Sequence, residues 1–557
     1  MVPATAAELV AARRDDQTLG LRFEDRSWTW AEVVREMTIR AQLITQLTTG
    51  ERPHFGVLLD NVPEYLFLLG GAAVAGAVLV GLNATRRGED LARDVRHTDC
   101  VAVLTDAEHR PLLDGLDLGP AAGRVMDVDG ADYMMLVDDA TAAVEGGASC
   151  PPPSPDALML LLFTSGSTGA PKAVRTTQRR VATASAMTAG TYGSTDAMYC
   201  AMPLFHGNAL NSSVFPALGS GAALVLRRRF SASAFMDDVR AEGCTFFSTV
   251  GRALSYVLAV PERDNDRDHK LRFVLAPESS PTDVKSFQRR FGVMVVSGYG
   301  SSENAIVLVP RPGLPRDALG VPADSSADIA VVDADTMIEC PRATFDDAGR
   351  LTNGDEAIGE IVGRKALGRF EGYYNNPEAT EARARNGWYW SGDLGYRDAE
   401  GVFFFAGRTN DWLRVDGENF AAAPVERVLS RLPGVRGVVV IGVPDERTAD
   451  DQVLAVLEVD DPAAFDPVTF DRGLAADPEL SIKWAPRYVR VLEALPVTAT
   501  NKIDRALLRA TRWEVDDSMY WRAERKGPLV PMTPRDRETL HAAFEANQRA
   551  DVLRTRS

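Results

Sequence analysis

Through the first four hundred residues, short runs of leucine, valine and isoleucine alternate with stretches in which apolar positions recur at helical spacing. This alternation is the pattern of strands and helices packed in layers, and it predicts an α/β fold. "VAVLT" at 101–105, "AALVLRRRF" at 222–230 and "VMVVSGYG" at 293–300 read as strands. "SASAFMDDVRAEG" and "SPTDVKSFQRRFG" read as helices that begin on a serine cap and stop at a glycine. From about Ala343 the texture changes to glycine-rich strands, "GEIVGR" and "GWYWSGDLGYRDAEGVFFFAGR", the second turning at "DAEG". After Arg408 come a helix, "PVERVLSRLPG", and the strands "VRGVVVIGV", "QVLAVLEV" and "RYVRVLEAL", enough for a small α+β unit. The pattern therefore predicts an N-terminal region over 1–409, built from two α/β layered subdomains and a β-rich one. A C-terminal α+β domain follows over 410–512, and then an extension over 513–557, of which "RDRETLHAAFEANQRADVLRTRS" at 535–557 reads as a charged helix and tail.

The most membrane-like segment, Leu66–Leu82, is seventeen residues long with glycines and alanines at its centre. A spanning helix needs about 20 apolar residues, so a buried helix and following strand are expected instead. "HFGVLLDNVPEY" just before it reads as strand, turn and helix start. The N-terminus, "MVPATAAELVAARRDD", has no continuous apolar stretch, and no signal peptide is expected. A net charge of −17 argues against nucleic acid or an anionic membrane as the main partner, but leaves room for a small anionic ligand. The five cysteines, Cys100, Cys150, Cys200, Cys244 and Cys340, form no C-x-x-C pair and no disulfide framework, which fits a reducing, cytoplasmic setting without stable membrane insertion.

The chemistry begins at "LLLFTSGSTGAPKAV", Leu160–Val174. A backbone of small residues can wrap a phosphate with several N–H donors. Thr164, Ser165, Ser167 and Thr168 add hydroxyls, Gly166 and Gly169 add freedom, and Lys172 adds a mobile cation. The Walker pattern is not met, because Ala173 stands where that loop has its magnesium-binding Ser or Thr. The loop is suited to phosphates, but not in the manner of a GTPase or ordinary ATPase.

"TSGSTGAPK" resembles the signature loop of the adenylate-forming superfamily, which includes acyl-CoA synthetases, luciferases and peptide-synthetase adenylation domains. Four further motifs follow in that family's order: "GYGSSE" (Gly298–Glu303), "YWSGDLG" with Asp393, "GRTNDWLRVDGENF" with Arg408 and Gly417, and "LPVTATNKIDRALL" with Lys502. The resemblance covers nearly the whole chain. It implies an enzyme that uses ATP and Mg²⁺ to activate a carboxylic acid as an acyl-adenylate and then passes the acyl group to CoA. It casts Glu303 and Thr164 as metal ligands, and Ser165–Gly169, Lys172, Gly300 and Ser302 as nucleotide contacts. Tyr299 and Glu278 lie by the adenine, Asp393 and Arg408 at the ribose. Lys502 is the adenylation lysine, on a mobile C-terminal domain that rotates about Asn410, bringing Arg414 and Gly417 to the thioester site.

"MPLFHGNALNSSVFPAL" resembles the segment flanking the acyl pocket, with His206 and Asn208; Val250, Gly251, Ser297 and Gly298 are candidates for acyl contact. "TFFSTVGRALSYVLAVP" and "DDSMYWRAERKGPLVPMT" are similar to the very-long-chain and fatty-acid-transport branch, whose actinobacterial members act on sterol side-chain acids. The expected substrate is thus a bulky hydrophobic acid, whether long-chain, sterol-side-chain or polycyclic terpenoid, and a homodimer is the family-level expectation. The pattern breaks at Ala276-Pro277-Glu278, where the branch has Gly-Asn-Glu and where proline removes an N–H near the adenine. Two alternatives stay open: an enzyme that performs chiefly one half-reaction, and one that loads a carrier protein instead of CoA.

Overall fold

The computed structural model of the chain describes residues 3–554 except 49–52, 165–171, 189, 250–251, 278, 280, 297, 304, 312, 316–317, 325, 347–350, 409–411, 416–417, 449, 477–483, 499–501 and 525–526. The fold class is α/β, and the chain divides into two compact units, residues 1–307 with 366–387 and residues 308–365 with 388–557.

Among the described residues, the first unit holds two seven-stranded sheets. One runs in the order 294–296, 273–275, 246–248, 197–200, 223–226, 19–23, 26–29, parallel throughout except for the closing hairpin. The other runs 373–374, 172–177, 158–164, 78–81, 54–58, 102–105, 125–127, parallel except for the strand 172–177, which is antiparallel to both its neighbours. Strands such as Val78–Gly81 and Ala102–Thr105 are buried at every position, as the continuous apolar runs of a covered parallel sheet require. The predicted strand at 222–230 contracts to Ala223–Leu226, and the Arg227 side chain just after it pairs with Asp238 and Glu242. The one at 293–300 contracts to Met294–Val296. Ser231 caps the helix Ala232–Ala241 through Ala234 N–H, and Gly243 and Gly292 stop their helices at positive φ. Ser280, the other expected cap, lies outside the described residues.

The segment Leu66–Leu82 is the helix Pro63–Ala75 followed by the strand Val78–Gly81. Its central glycines serve a helix crossing: a Cβ on Gly70 would stand 2.2 Å from Met37 Sδ, on the helix Trp30–Leu47. No helix among the described residues is long and apolar enough to cross a membrane.

One buried acid makes a measurable prediction. Asp94 is fully buried on the helix Gly88–His97; Arg86 Nη1 donates to its Oδ1 at 2.9 Å, and Oδ2 has no partner among the described residues. Burial pushes its carboxyl up to about 6, against the pull of Arg86. The folded chain therefore holds that proton more tightly than the unfolded chain, and this contribution to stability is lost as pH rises from about 4 to about 6. Asp94→Asn cannot titrate and is expected to gain on the parent across that window by on the order of 2 kcal/mol. Urea unfolding of both proteins at either end of the window measures the difference.

In the second unit an antiparallel sheet runs 308–309, 318–322, 403–408, 388–397, 359–363, 329–332. Its aromatic hairpin turns at Asp398–Gly401 as expected, with Val402 N–H on Asp398 Oδ1 at 2.7 Å and Gly401 at φ +85°. A five-stranded sheet follows, 435–444, 451–459, 488–492, 518–521, 530–531. The extension after 512 is part of this sheet. It adds two strands to this sheet, and its helix Pro534–Ala546 buries Leu540 and Phe544 beside Trp513 and Tyr488.

Candidate functional site

The glycine-rich stretch joins two neighbouring strands. Leu158–Thr164 runs into it and Lys172–Thr177 runs out, paired antiparallel with Thr164 opposite Lys172. Ser165, Gly166, Ser167, Thr168 and Gly169 lie outside the described residues. The hairpin ends place Thr164 and Lys172 side by side at one end of a sheet. Burial, then the neighbouring Arg383 guanidinium, holds the Lys172 ammonium below its usual range, with Glu303 opposing.

Glu303 is 8% exposed. Tyr373 O–H donates to its Oε1 at 2.6 Å, and Arg180 donates to its backbone carbonyl. Tyr373 comes from a strand of two residues laid beside 172–177, opposite Val174. Burial, then the Glu303 carboxylate it faces, raises the Tyr373 hydroxyl above its ordinary range, so it stays a donor. Thr164, Lys172 and Glu303 therefore gather around the hairpin, with Tyr373, Arg180 and Arg383 beside them. Sequence reasoning missed these last three. "GYYNNPEAT" announces a short strand and a capped helix, but nothing in it names the strand's partner two hundred residues earlier.

The other first-unit candidates lie beyond the carboxyl ends of parallel strands, where ligands bind in open α/β sheets. His206, half-buried, packs against Phe205 with ring centroids 4.5 Å apart and precedes the short helix Gly207–Ala209. A π-helical turn, Leu210–Val214, follows, an irregularity frequent at functional sites. Asn208 Oδ1 accepts from Ser248 at 3.1 Å, and a Cβ on Gly207 would stand 3.4 Å from Ser302 Oγ, so this segment borders the "GYGSSE" loop. In that loop Tyr299 is half-buried, Gly298 and Ser302 are partly covered and Gly300 is exposed. Ala276 N–H continues the sheet onto Val296 at 2.9 Å, so Pro277 stands just past the last ladder bond. Glu278, Val250, Gly251 and Ser297 lie outside the described residues.

The second unit carries the rest. Asp393 and Arg408 are register partners on the aromatic hairpin. The Asp393 backbone is fixed by Ser391 Oγ at 3.0 Å and by Gly392 N–H on the buried Glu360 at 2.7 Å. Arg414 opposes Asn419 in the hairpin of 412–415 with 418–421. The side chains of Arg408 and Arg414, and all of Asn410 and Gly417, lie outside the described residues. Lys502 sits in a pinched loop: Val497 bridges Ile503, and Thr498 N–H bonds Lys502 O at 2.7 Å.

Residues 8–374 match the family model of AMP-binding enzymes. The chain is 46% identical over 552 residues to the steroid-22-oyl-CoA synthetase of Rhodococcus jostii (strain RHA1), covering 99% of each. It is 38% identical over 519 residues to a medium/long-chain-fatty-acid–CoA ligase of Mycobacterium marinum, covering 93% of this chain and 98% of that one. Its fold matches ATP-bound MatB from Rhodopseudomonas palustris with a TM-score of 0.78 at 22% identity, over 91% of this chain and 98% of that one. It also matches an anthranilate CoA ligase in complex with anthranoyl-AMP, with a TM-score of 0.77 at 20% identity, over 92% and 98%.

Proposed function

This chain belongs to the AMP-binding enzyme family, and from that premise we propose that it is an ATP-dependent acyl-CoA ligase acting on a bulky hydrophobic carboxylic acid. The observation that carries the proposal is the gathering of Thr164, Lys172 and Glu303 around one hairpin, in a chain that aligns end to end with a steroid-22-oyl-CoA synthetase. In the first half-reaction the substrate carboxylate attacks the α-phosphorus of ATP, the bond to the bridging oxygen breaks, and pyrophosphate leaves. Negative charge gathers at the phosphates, so fixed cations and donors lower the barrier. Thr164, the loop after it and Lys172 hold the phosphates, and Asp393 and Arg408 hold the ribose. Lys502 reaches the carboxylate and α-phosphate, then withdraws with the C-terminal domain about Asn410. In the second half-reaction the CoA thiolate attacks the acyl carbonyl and AMP leaves.

The donor set fits Mg²⁺. This ion is usually held by one or two carboxylates together with phosphate oxygens and water, and Glu303 offers a carboxylate with Oε1 already engaged. Glu303 and Thr164 would hold it, and when bound it neutralises charge on the phosphates.

The acid is sterol-like or long-chain, a reading supported by the steroid and fatty-acid relatives. A panel of long-chain, sterol-side-chain and diterpenoid acids with ATP, Mg²⁺ and CoA tests it, following pyrophosphate and thioester separately. Thioester is expected with at least one bulky acid. Pyrophosphate without thioester, restored by a carrier protein, would assign the other acceptor. Neither product with any acid would overturn the proposal.

A further inference from the structure

Glu303 is held at two points, and both holds trace back to the strand that leaves the glycine-rich stretch. Val174, two residues past Lys172, pairs with Tyr373, whose hydroxyl bonds the Glu303 carboxylate at 2.6 Å. Thr177, at the end of the same strand, donates to the Glu371 carboxylate from its hydroxyl at 2.6 Å and from its N–H at 2.8 Å, which fixes the approach to Tyr373. One turn further, Arg180 spans the backbone carbonyls of Glu303 and Arg369, tying both incoming segments together. Tyr373 is 5% exposed, its ring packs edge-on against Phe370 at 5.4 Å, and its backbone N–H donates to Thr380 Oγ1 at 3.0 Å. The carboxylate is therefore registered to the strand that carries Lys172, not merely near it.

We propose that Tyr373 and Arg180 are positioning residues that hold Glu303 by its carboxylate and its carbonyl, so that Oε2 alone faces the nucleotide's metal. This rests on the reading of Glu303 as a metal ligand. The physical reason is the narrow tolerance of Mg²⁺, which demands near-octahedral geometry from few protein ligands. A carboxylate free to rotate would offer either one or two oxygens; a hydrogen bond to Oε1 leaves a single one. Partners of this kind, bonded to a ligand and not to the ion, typically change metal affinity by about 10–100-fold when removed. Arg180 acts on the backbone, setting where the side chain starts. Its two acceptors lie in segments far apart in sequence, so lysine, with one compact ammonium, cannot replace the fork.

The test uses the full-length enzyme with α,β-methylene-ATP, which cannot transfer its adenylyl group, and Mn²⁺ as the probe, titrated by electron paramagnetic resonance of the free ion. Tyr373→Phe is expected to raise the Mn²⁺ concentration for half-saturation of the ternary complex about 10-fold. Metal-free AMP binding and the melting temperature should stay at parent values. Arg180→Lys should move the same quantity in the same direction, and it decides the matter alone if Tyr373→Phe is recovered unfolded. Parent-like Mn²⁺ binding in both variants, with binding lost in Glu303→Gln, would overturn the positioning roles and leave the metal reading standing. Parent-like binding in Glu303→Gln would overturn the metal reading, and the proposal with it.

Discussion

Lys502→Ala is expected to lose adenylate formation by about 10³-fold while still making thioester from a supplied acyl-adenylate and CoA. The split follows from what the residue's surroundings hold in place. The Lys502 carbonyl accepts from Thr498 N–H at 2.7 Å, and Asp504 N–H bonds Pro496 O at 2.9 Å. Asp504 then caps the helix Arg505–Thr511, and Arg505 pairs with Glu426 at 2.7 Å. Truncating the lysine beyond Cβ disturbs none of these bonds, so the loop should keep its shape and the loss should be chemical. Pyrophosphate–ATP exchange reads the first half-reaction, and thioester formation from synthetic acyl-AMP reads the second. Exchange at the parent rate would remove Lys502 from the adenylation site. Equal loss in both assays, with an unchanged melting temperature, would show that its role is not confined to one step.

How far the sequence reaches is visible at particular residues. The glycine-rich stretch stood out because an apolar run leads into small residues and a lysine, but the pairing of Leu158–Thr164 with Lys172–Thr177 was not read from it. The aromatic hairpin was legible because "DAEG" is a turn between strands of opposite direction. Local pattern specifies local structure in both cases. Tyr373 was not legible as a site residue, because its meaning comes from pairing with Val174, and nothing in "GYYNNPEAT" encodes that neighbour. The crossing at Gly70 and Met37 was hidden for the same reason: small residues in an apolar helix tell of close approach without telling what approaches. Asp94 sits among charged residues in "RGEDLARDVRH" and reads as solvated surface. Only the packing of its helix puts it out of reach of water.

The C-terminal segment shows the same limit and carries the second large prediction. "RDRETLHAAFEANQ" has two large apolar residues, Leu540 and Phe544, one helical turn apart among charges. So narrow a stripe reads as an exposed helix. In the fold both residues are buried, and Phe544 stacks on Trp513 at 6.1 Å, which stacks on Tyr488 at 4.9 Å. Phe544→Ala should therefore leave a cavity in an aromatic stack and destabilise the second unit by about 3–5 kcal/mol. Phe544→Leu, closer in volume, should lose less. Hydrogen exchange resolves where the loss falls: amides of 435–459 and 488–521 should exchange faster, while those of 54–105 keep parent protection. The effect should also reach catalysis, because Ile503, next to Lys502, packs against the same apolar cluster as Phe544. Adenylation in Phe544→Ala should fall on warming, before the first unit melts, and should recover on cooling. Parent-like exchange throughout 435–521 would mean that the helix merely rests on the sheet, and that the lysine loop takes no support from it.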